Sequence, residues 1–302
     1  MSIESEVDAI IARAMAEYNS RHPESNLQPG IPVQEPVICA QPEEVPVWDA
    51  TQTAETPNIV PENSESLLVN QETSRFSSAV WYDEIQRRDV TLAGLGGIGS
   101  YVAFLLSRLD IQNIYLFDPD TVEVGNLSGQ LYEDESIGQN KVYATGNLLR
   151  KFSHYYRTNC FTENYNSNFT TDIMICGFDN MAARRQFYNA WKQRALSVDN
   201  PSKCLFIDGR LAAENFQVLC IKGDDLYSMG RYENEFLFSD EEAEETICSY
   251  KQTTFMANMI GSIIVNLFVN FVANEYCEEL IKRDLPFYTE YSASSMYFKV
   301  IA

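Results

Sequence analysis

The chain has 302 residues, of which 45% are hydrophobic, and this is enough for one large domain core. Its formal net charge of −21 argues against binding to nucleic acid or to an anionic membrane. The seven cysteines are widely spaced and form no C-x-x-C pair, so we expect neither a disulfide framework nor a structural zinc. The N-terminus lacks the basic start and apolar run of a signal peptide, so we expect a cytoplasmic protein.

The first 74 residues differ in composition from the rest of the chain. They contain 13 acidic residues, two basic residues and eight of the 11 prolines. Such a segment cannot bury enough apolar surface to offset its ordering entropy, which predicts an acidic, proline-rich and largely disordered tail over 1–74. Apolar residues at helical spacing predict a short helix over 3–18, either a partner-docking element or a transient helix. We place the start of the folded domain at residue 75.

From residue 90 onward, strand-like and helix-like runs alternate. Alternation of this kind predicts an α/β fold with a Rossmann-like, mostly parallel sheet flanked by helices, and with antiparallel strands toward the C-terminus. The predicted strands lie near 90–95, 112–118, 158–163, 172–177, 203–208 and 215–222, with a late strand pair over 286–302. The predicted helices lie near 98–109, 139–152, 180–196 and 252–274.

A glycine-rich turn, GLGGIG, follows the first predicted strand. It places Gly94, Gly96, Gly97 and Gly99 before a helix-like apolar stripe. These glycines allow a tight turn and let backbone N–H groups approach a phosphate at the positive end of the helix. Asp118 ends the next predicted strand, about 20 residues further on, where a carboxylate accepts hydrogen bonds from a ribose. The pattern predicts a nucleotide site, although the glycines alone also fit an NAD-dependent oxidoreductase or a plain turn.

A dense set of polar residues follows that strand and narrows the choice of nucleotide. Asp118, Asp120, Asn126, Gln130 and Lys141 fall within 24 residues, just past the carboxyl end of a strand, where open α/β sheets bind ligands. A hydride-transfer domain does not need such a cluster. Lys141 would neutralise phosphate charge, and Asn126 and Gln130 would orient the reacting groups. Asp120 also fits an ordinary D-P-D turn, and Lys141 also fits a solvated helix residue, so both readings remain open.

This stretch resembles the ThiF/MoeB family of adenylyltransferases, which are related to ubiquitin-activating enzymes. The family pattern is a G-x-G-G-x-G turn, a D-x-D, an N-x-x-R-Q, a lysine after G-x-x, and a later aspartate that binds magnesium. The chain matches it with GLGGIG at 94–99, DPD at 118–120, NLSGQ at 126–130, GQNK at 138–141, and Asp179 in ICGFDN. The resemblance covers roughly residues 75–275 and implies that 75–302 form a ThiF-like nucleotide-binding domain.

The resemblance also implies roles for three residues. Asp179 would bind Mg²⁺, although an aspartate beside Asn180 also fits a helix cap. Arg75, in RFSS at 75–78, would reach across a dimer to the partner's ATP. Cys248, in the loop before the long helix, would accept the adenylated partner as a thioester, although most lone cysteines are small buried residues.

One position departs from the family pattern. Gly129 stands where the N-x-x-R-Q motif has an arginine that helps to hold the triphosphate. Arg184 or Arg185, on the helix predicted after Asp179, would be a substitute. Without a substitute, the chain would be a catalytically weakened nucleotide-binding scaffold.

The uncharged run 252–274 is long enough to span a bilayer. Asn258, Ser262, Asn266 and Asn270 recur along it every four residues, and unsatisfied amides are costly in lipid. We therefore predict a helix of a soluble protein, packed in the core and in a homodimer interface, and no membrane association.

Together these features predict an ATP-dependent adenylyltransferase that uses Mg²⁺. It would activate the C-terminal carboxylate of a ubiquitin-like protein, a sulfur-carrier protein or a peptide as an acyl-adenylate. Two alternatives stay open, the nucleotide-binding scaffold and, less favoured, the NAD-dependent oxidoreductase.

Overall fold

Short, mostly buried apolar runs form the inner parallel strands of the sheet, whereas the parallel strand at its edge is only partly buried. The computed structural model describes residue 76 and residues 79–238, 253–276 and 282–301. The first four strands run parallel in the order β3-β2-β1-β4, with β1 at Asp89–Ala93, β2 at Asn113–Phe117, β3 at Thr158–Phe161 and β4 at Ile173–Cys176. In β4 every residue is buried, which is typical of a parallel strand covered by helices on both faces.

The described strands form one eight-stranded sheet that becomes antiparallel toward the C-terminus. Strand β5 (Leu205–Ala212) still pairs parallel with β4. The remaining strands then pair antiparallel in chain order, with β6 at Asn215–Lys222, β7 at Tyr288–Ser292 and β8 at Tyr297–Ile301. This arrangement confirms the predicted fold class.

Helices cover both faces of the sheet and divide the core in two. They are α1 (Tyr82–Ile85), α2 (Gly97–Arg108), α3 (Lys141–Ser153), α4 (Met181–Ser197), α5 (Leu226–Arg231) and α6 (Thr254–Asn274). One apolar cluster contains residues of α2, α3 and α6, and the other contains residues of α4 and α5. The glycine-rich turn lies between β1 and α2, at the edge where the parallel strands end.

Helix α6 packs closely on α2. A Cβ added at Gly261 would lie 3.1 Å from the Tyr101 Cβ, so glycine permits this approach. Asn258, Ser262 and Asn266 of the predicted polar stripe are exposed, while Asn270 donates from Nδ2 to the Asp284 carbonyl at 3.1 Å. By length and composition α6 is the one helix of the described chain that could cross a membrane, but its apolar side is buried in the core. The prediction of no membrane association remains untested.

Six short helical segments of the described chain were not expected from the sequence. They are α1, α5, the π-helical turn Tyr232–Phe236 that continues α5, and three 3-10 turns at Val124–Ser128, Asp134–Ser136 and Pro201–Lys203. Each is too short to display a helical repeat of apolar residues, which is the signal that predicts a helix.

Candidate active site

Two of the predicted glycines are required by the shape of the turn itself. Gly94 has φ of +84°, a conformation that side chains other than glycine rarely adopt. A Cβ added at Gly99 would lie 1.9 Å from the Gly94 carbonyl oxygen, so α2 can pack against the turn only with glycine there. A Cβ added at Gly177, just after β4, would lie 2.8 Å from the same oxygen. The turn and the end of β4 are therefore in direct contact.

Gly96 has a different role, because space rather than backbone lies beside it. The nearest atom to a Cβ added there is Gln130 Nε2 at 3.8 Å. Gly96 is the N-cap of α2, and the first turn of that helix, which starts at Gly97, has no side-chain cap and no acidic residue. We call this space, in which an added Cβ would meet only Gln130 Nε2 within 4 Å, the hollow beside Gly96. Its place at the uncapped positive end of a helix fits the phosphate group of a nucleotide.

Asp118 connects the end of β2 to the glycine-rich turn. Its Oδ2 accepts a hydrogen bond from the Leu95 N–H at 2.6 Å, and its Oδ1 accepts one from the Asp120 N–H at 2.8 Å. Burial raises the pKa of this carboxyl, and the two amides and Lys141 partly offset that effect. Each oxygen retains a second lone pair, so the carboxylate can still accept from a ribose as predicted.

Lys141 opens α3 and pairs with Asp120. Its Nζ lies 2.9 Å from Asp120 Oδ2, and its side chain is 8% exposed whereas that of Asp120 is 64% exposed. The N-cap of α3 is Asn140, whose side chain accepts from the Val142 N–H. The interpretation of Lys141 as a solvated helix residue is therefore wrong, because its side chain is buried. Its charge lies close enough to the Asp118 carboxyl to lower the pKa of that group. A bound phosphate would share or replace Asp120 as its partner.

Asn126 and Gln130 lie on the segment that faces this turn, but they differ in what they can offer a ligand. Asn126 Oδ1 accepts from the Glu123 N–H at 2.9 Å in a capping box, so its oxygen is engaged by the backbone. Gln130 Oε1 is buried without a partner among the described residues, while its Nε2 lies beside Gly96. Buried polar groups are normally paired, so the unpaired oxygen fits a ligand or water that donates to it, while Nε2 can donate to an anionic ligand beside Gly96.

Asp179 is exposed just after β4, at the same edge of the sheet. The cap of α4 is its neighbour Asn180, whose Oδ1 accepts from the Ala183 N–H at 2.8 Å. Capping therefore does not explain Asp179. Among the described residues no three His, Cys, Asp or Glu side chains form a metal-binding group. A single carboxylate beside a triphosphate nevertheless fits Mg²⁺, which takes one or two protein carboxylates together with phosphate oxygens and water.

Arg184 and Arg185, considered as substitutes for the missing arginine, are engaged elsewhere. Arg184 is buried and donates to Asp208 and to the Phe178 carbonyl, and at 3.1 Å to the Gly209 carbonyl. Arg185 donates to the Leu237 carbonyl at 2.7 Å. In this arrangement neither guanidinium replaces the arginine missing at Gly129.

Two predicted site residues, Arg75 and Cys248, lie outside the described residues. The described cysteines are unsuited to nucleophilic attack, because burial raises the thiol pKa of Cys204 and of Cys220 to about 12, and raises those of Cys160 and Cys176 as well.

Sequence reasoning missed Tyr132 and the buried group around Asp208. The Tyr132 hydroxyl donates to the Leu95 carbonyl in the glycine-rich turn at 2.7 Å. Asp208 accepts from Arg184, Arg210 and Tyr232. The only available signal was the position of Tyr132 two residues after Gln130, inside the matched segment.

These features define a Rossmann-like α/β domain with a glycine-rich turn at the edge where its parallel strands end. Residues 70–301 match the model of the ThiF family, and the chain belongs to that family. Similar curated proteins are ubiquitin-like modifier-activating enzyme 5 of Dictyostelium discoideum, 36% identical over 90 residues, and of Caenorhabditis elegans, 38% identical over 68 residues. These matches cover 30% and 22% of this chain, and 23% and 16% of the relatives.

Solved structures of two further proteins share the fold over most of the chain. PaaA aligns with a TM-score of 0.59 at 16% identity, covering 84% of this chain and 77% of that one. Escherichia coli MccB with ATP aligns with a TM-score of 0.57 at 14% identity, covering 77% and 70%. At these identities the likeness establishes the fold alone.

Proposed function

We propose that the chain is an ATP-dependent adenylyltransferase that activates a C-terminal carboxylate. The observation that carries the proposal is the hollow beside Gly96, at the uncapped end of α2 and next to the side-chain N–H group of Gln130. Membership of the ThiF family supports it, as do the curated relatives named as modifier-activating enzymes and the MccB structure with ATP. The relatives' names favour a ubiquitin-like acceptor, and MccB structures that also contain MccA favour a peptide. A sulfur-carrier protein has the same terminal chemistry.

In the proposed reaction an acceptor carboxylate oxygen attacks the α-phosphorus of ATP. The new oxygen–phosphorus bond gives an acyl-adenylate, and the bond to the β-phosphate oxygen breaks to release pyrophosphate. The protein contributes positioning and charge rather than covalent chemistry. Asp118 would hold the ribose, the α2 N-terminus at Gly96 and Gly97 would hold a phosphate, and Lys141 would offset negative charge. Gln130 would orient the carboxylate. Asp179 would hold Mg²⁺, which stabilises charge on the triphosphate when bound.

Pyrophosphate exchange tests this function with a defined acceptor. The full chain would be incubated with Mg-ATP, labelled pyrophosphate and synthetic peptides ending in Gly-Gly with a free carboxylate. We expect label to enter ATP with the free peptide and not with the same peptide amidated at its C-terminus, because an amide cannot attack. Exchange that is equal for both peptides would contradict activation of the C-terminal carboxylate.

The missing charge at Gly129 favours a second candidate, a nucleotide-binding scaffold without turnover. It predicts calorimetric binding of Mg-ATP with no exchange for any acceptor. Binding of NAD in preference to ATP would instead support the oxidoreductase.

A transfer to Cys248 would follow adenylation. The thiolate would attack the acyl carbon, AMP would leave, and a thioester would form. A covalent adduct with the acceptor that is cleaved by a free thiol and not by a non-thiol reductant in the wild type, and is missing in Cys248→Ala with pyrophosphate exchange retained in both, would support this step. An adduct that persists in Cys248→Ala would contradict it.

A further inference from the structure

One residue of the glycine-rich turn, Leu95, is held through both of its backbone polar groups. The Leu95 N–H donates to Asp118 Oδ2 at 2.6 Å, and the Leu95 carbonyl accepts from the Tyr132 hydroxyl at 2.7 Å. The Leu95 side chain is fully buried. Because Leu95 lies between Gly94 and Gly96, these two hydrogen bonds fix the backbone that borders the hollow beside Gly96.

The Tyr132 hydroxyl also lies 3.3 Å from the Thr145 Oγ1 of α3, the helix that begins with Lys141. Tyr132 itself follows Gln130, and the next amide of that segment, the Leu131 N–H, donates to Ser100 Oγ of α2 at 3.0 Å. The Tyr132 hydroxyl therefore links the segment that carries Gln130 to two other parts of the site, the glycine-rich turn and the helix that begins with Lys141. Burial raises the pKa of this hydroxyl, so it remains a donor over the ordinary pH range.

We propose that Tyr132 is a positioning residue, which orders the glycine-rich turn so that nucleotide binding does not have to order it. The proposal rests on the proposed function for its nucleotide. The turn is flexible by composition, since glycine loses more conformational freedom on ordering than any other residue. A turn that is already ordered binds its ligand more tightly, because less entropy is lost in the complex.

The test compares Tyr132→Phe with Tyr155→Phe. Each substitution removes one hydroxyl and leaves the ring in place. The Tyr155 hydroxyl also bonds to a backbone carbonyl, that of Ile111 at 3.0 Å, but at the opposite edge of the sheet, before β2. Both variants lose one tyrosine-to-carbonyl bond, and only one of these bonds lies in the site.

Two readouts separate positioning from general stability. Amide hydrogen exchange of residues 94–99 should be faster in Tyr132→Phe than in the wild type and unchanged in Tyr155→Phe. The calorimetric Kd for Mg-ATP should rise roughly 3- to 10-fold in Tyr132→Phe only, as expected for the loss of one buried hydrogen bond. In pyrophosphate exchange, KM for ATP should rise more than kcat falls.

If Tyr132→Phe leaves amide hydrogen exchange at residues 94–99 unchanged, or leaves the Kd for Mg-ATP unchanged, the proposal is overturned. Equal effects of the two variants on Kd would overturn it as well, because they would reflect general destabilisation. A wild type that binds no Mg-ATP would refute the proposed function instead, and amide exchange alone would then decide whether Tyr132 orders the turn.

Discussion

The Arg184 guanidinium of α4 and the Asp208 carboxylate of β5 form a buried ion pair, and Asp208 lies in register with Cys176 at the end of β4. Burial alone would lower the pKa of Arg184, but the charge of Asp208 raises it, so the guanidinium stays charged. Asp208 also accepts from Arg210 Nε and from the Tyr232 hydroxyl, each at 2.9 Å. The Phe178 carbonyl, next to Asp179, is a further acceptor of Arg184. The pair thus supports the segment that carries the proposed metal ligand.

Removing Asp208 should lower the stability of the domain, because it leaves the buried Arg184 and the partly buried Arg210 without their carboxylate partner. We expect Asp208→Ala to lower the free energy of unfolding by about 3–5 kcal/mol. Urea denaturation measures this. The control is Asp224→Ala, whose ion pair with Lys222 at 3.5 Å is solvent-exposed, and which should cost within about 1 kcal/mol. Equal stability of the two variants, with weaker ATP binding in Asp208→Ala only, would mean that the cluster serves the ligand instead.

Two glycines of the turn should respond differently to alanine. Gly99→Ala places a Cβ 1.9 Å from the Gly94 oxygen and should cost on the order of 3 kcal/mol or more in stability. Gly96→Ala meets only Gln130 Nε2, at 3.8 Å, and should change stability by less than about 1 kcal/mol. It should nevertheless weaken Mg-ATP binding roughly tenfold or more, because the Cβ occupies the phosphate hollow. Thermal denaturation and calorimetry test both, and normal ATP affinity in Gly96→Ala would place the phosphate elsewhere.

Asp118 should make stability depend on pH in a direction opposite to that of an ordinary salt-bridged carboxylate. Burial raises its pKa above the usual 3.8, so the folded state binds the proton more readily than the unfolded state. Its contribution to stability is therefore present below pH 3.8 and lost as pH rises through the folded-state pKa. The free energy of unfolding of the wild type minus that of Asp118→Asn, from urea titrations at about pH 3 to pH 7, should fall across this window. A flat or rising difference would contradict the sign.

Most of the fold was predictable because the signals were long and local. The apolar runs at 90–95 and 172–177 predicted β1 and β4, and their sheet follows from alternation with helices. The site was predictable for a related reason. Gly94, Gly96 and Asp118 belong to one strand–turn–helix–strand unit whose geometry fixes where its residues lie.

Contacts between distant parts of the chain could not be predicted in this way. Asp208 and Arg184 are 24 residues apart, on different elements, and no periodicity links them. The sequence also could not show that Asn126 caps its own turn while Gln130 has an unpartnered oxygen, since both are amides in one matched motif. Such differences depend on where each side chain finds a partner.

The homodimer with composite sites remains a prediction from Arg75 and the uncharged helix α6. If Arg75 of one subunit reaches the ATP of the other, Arg75→Ala and Lys141→Ala should each lose pyrophosphate exchange. Mixing the two variants should then restore part of the activity, because one of the two sites in a heterodimer has both residues intact. Mixing Lys141→Ala with Asp118→Ala is the control: both residues belong to the same subunit's site, so each site of that heterodimer lacks one of them and activity should not return. A monomer by light scattering would contradict the prediction.

Gly129→Arg tests whether the chain is a weakened member of its family. Gly129 has φ of −139° and ψ of −11°, so its backbone does not require glycine, and the substitution restores the family's charge. A charge-assisted contact to the triphosphate contributes about 1.5–3 kcal/mol, so Kd for Mg-ATP should fall roughly 10- to 150-fold. Gly129→Gln, which adds length without charge, is the control and should have a much smaller effect.

The family charge is not supplied by Arg184 instead. Because Arg184 pairs with Asp208, Arg184→Ala should lower stability whether or not position 129 carries arginine. Tighter ATP binding in Gly129→Arg, without exchange for any acceptor, would favour the scaffold. An unchanged Kd in Gly129→Arg would mean that the triphosphate does not pass beside this residue.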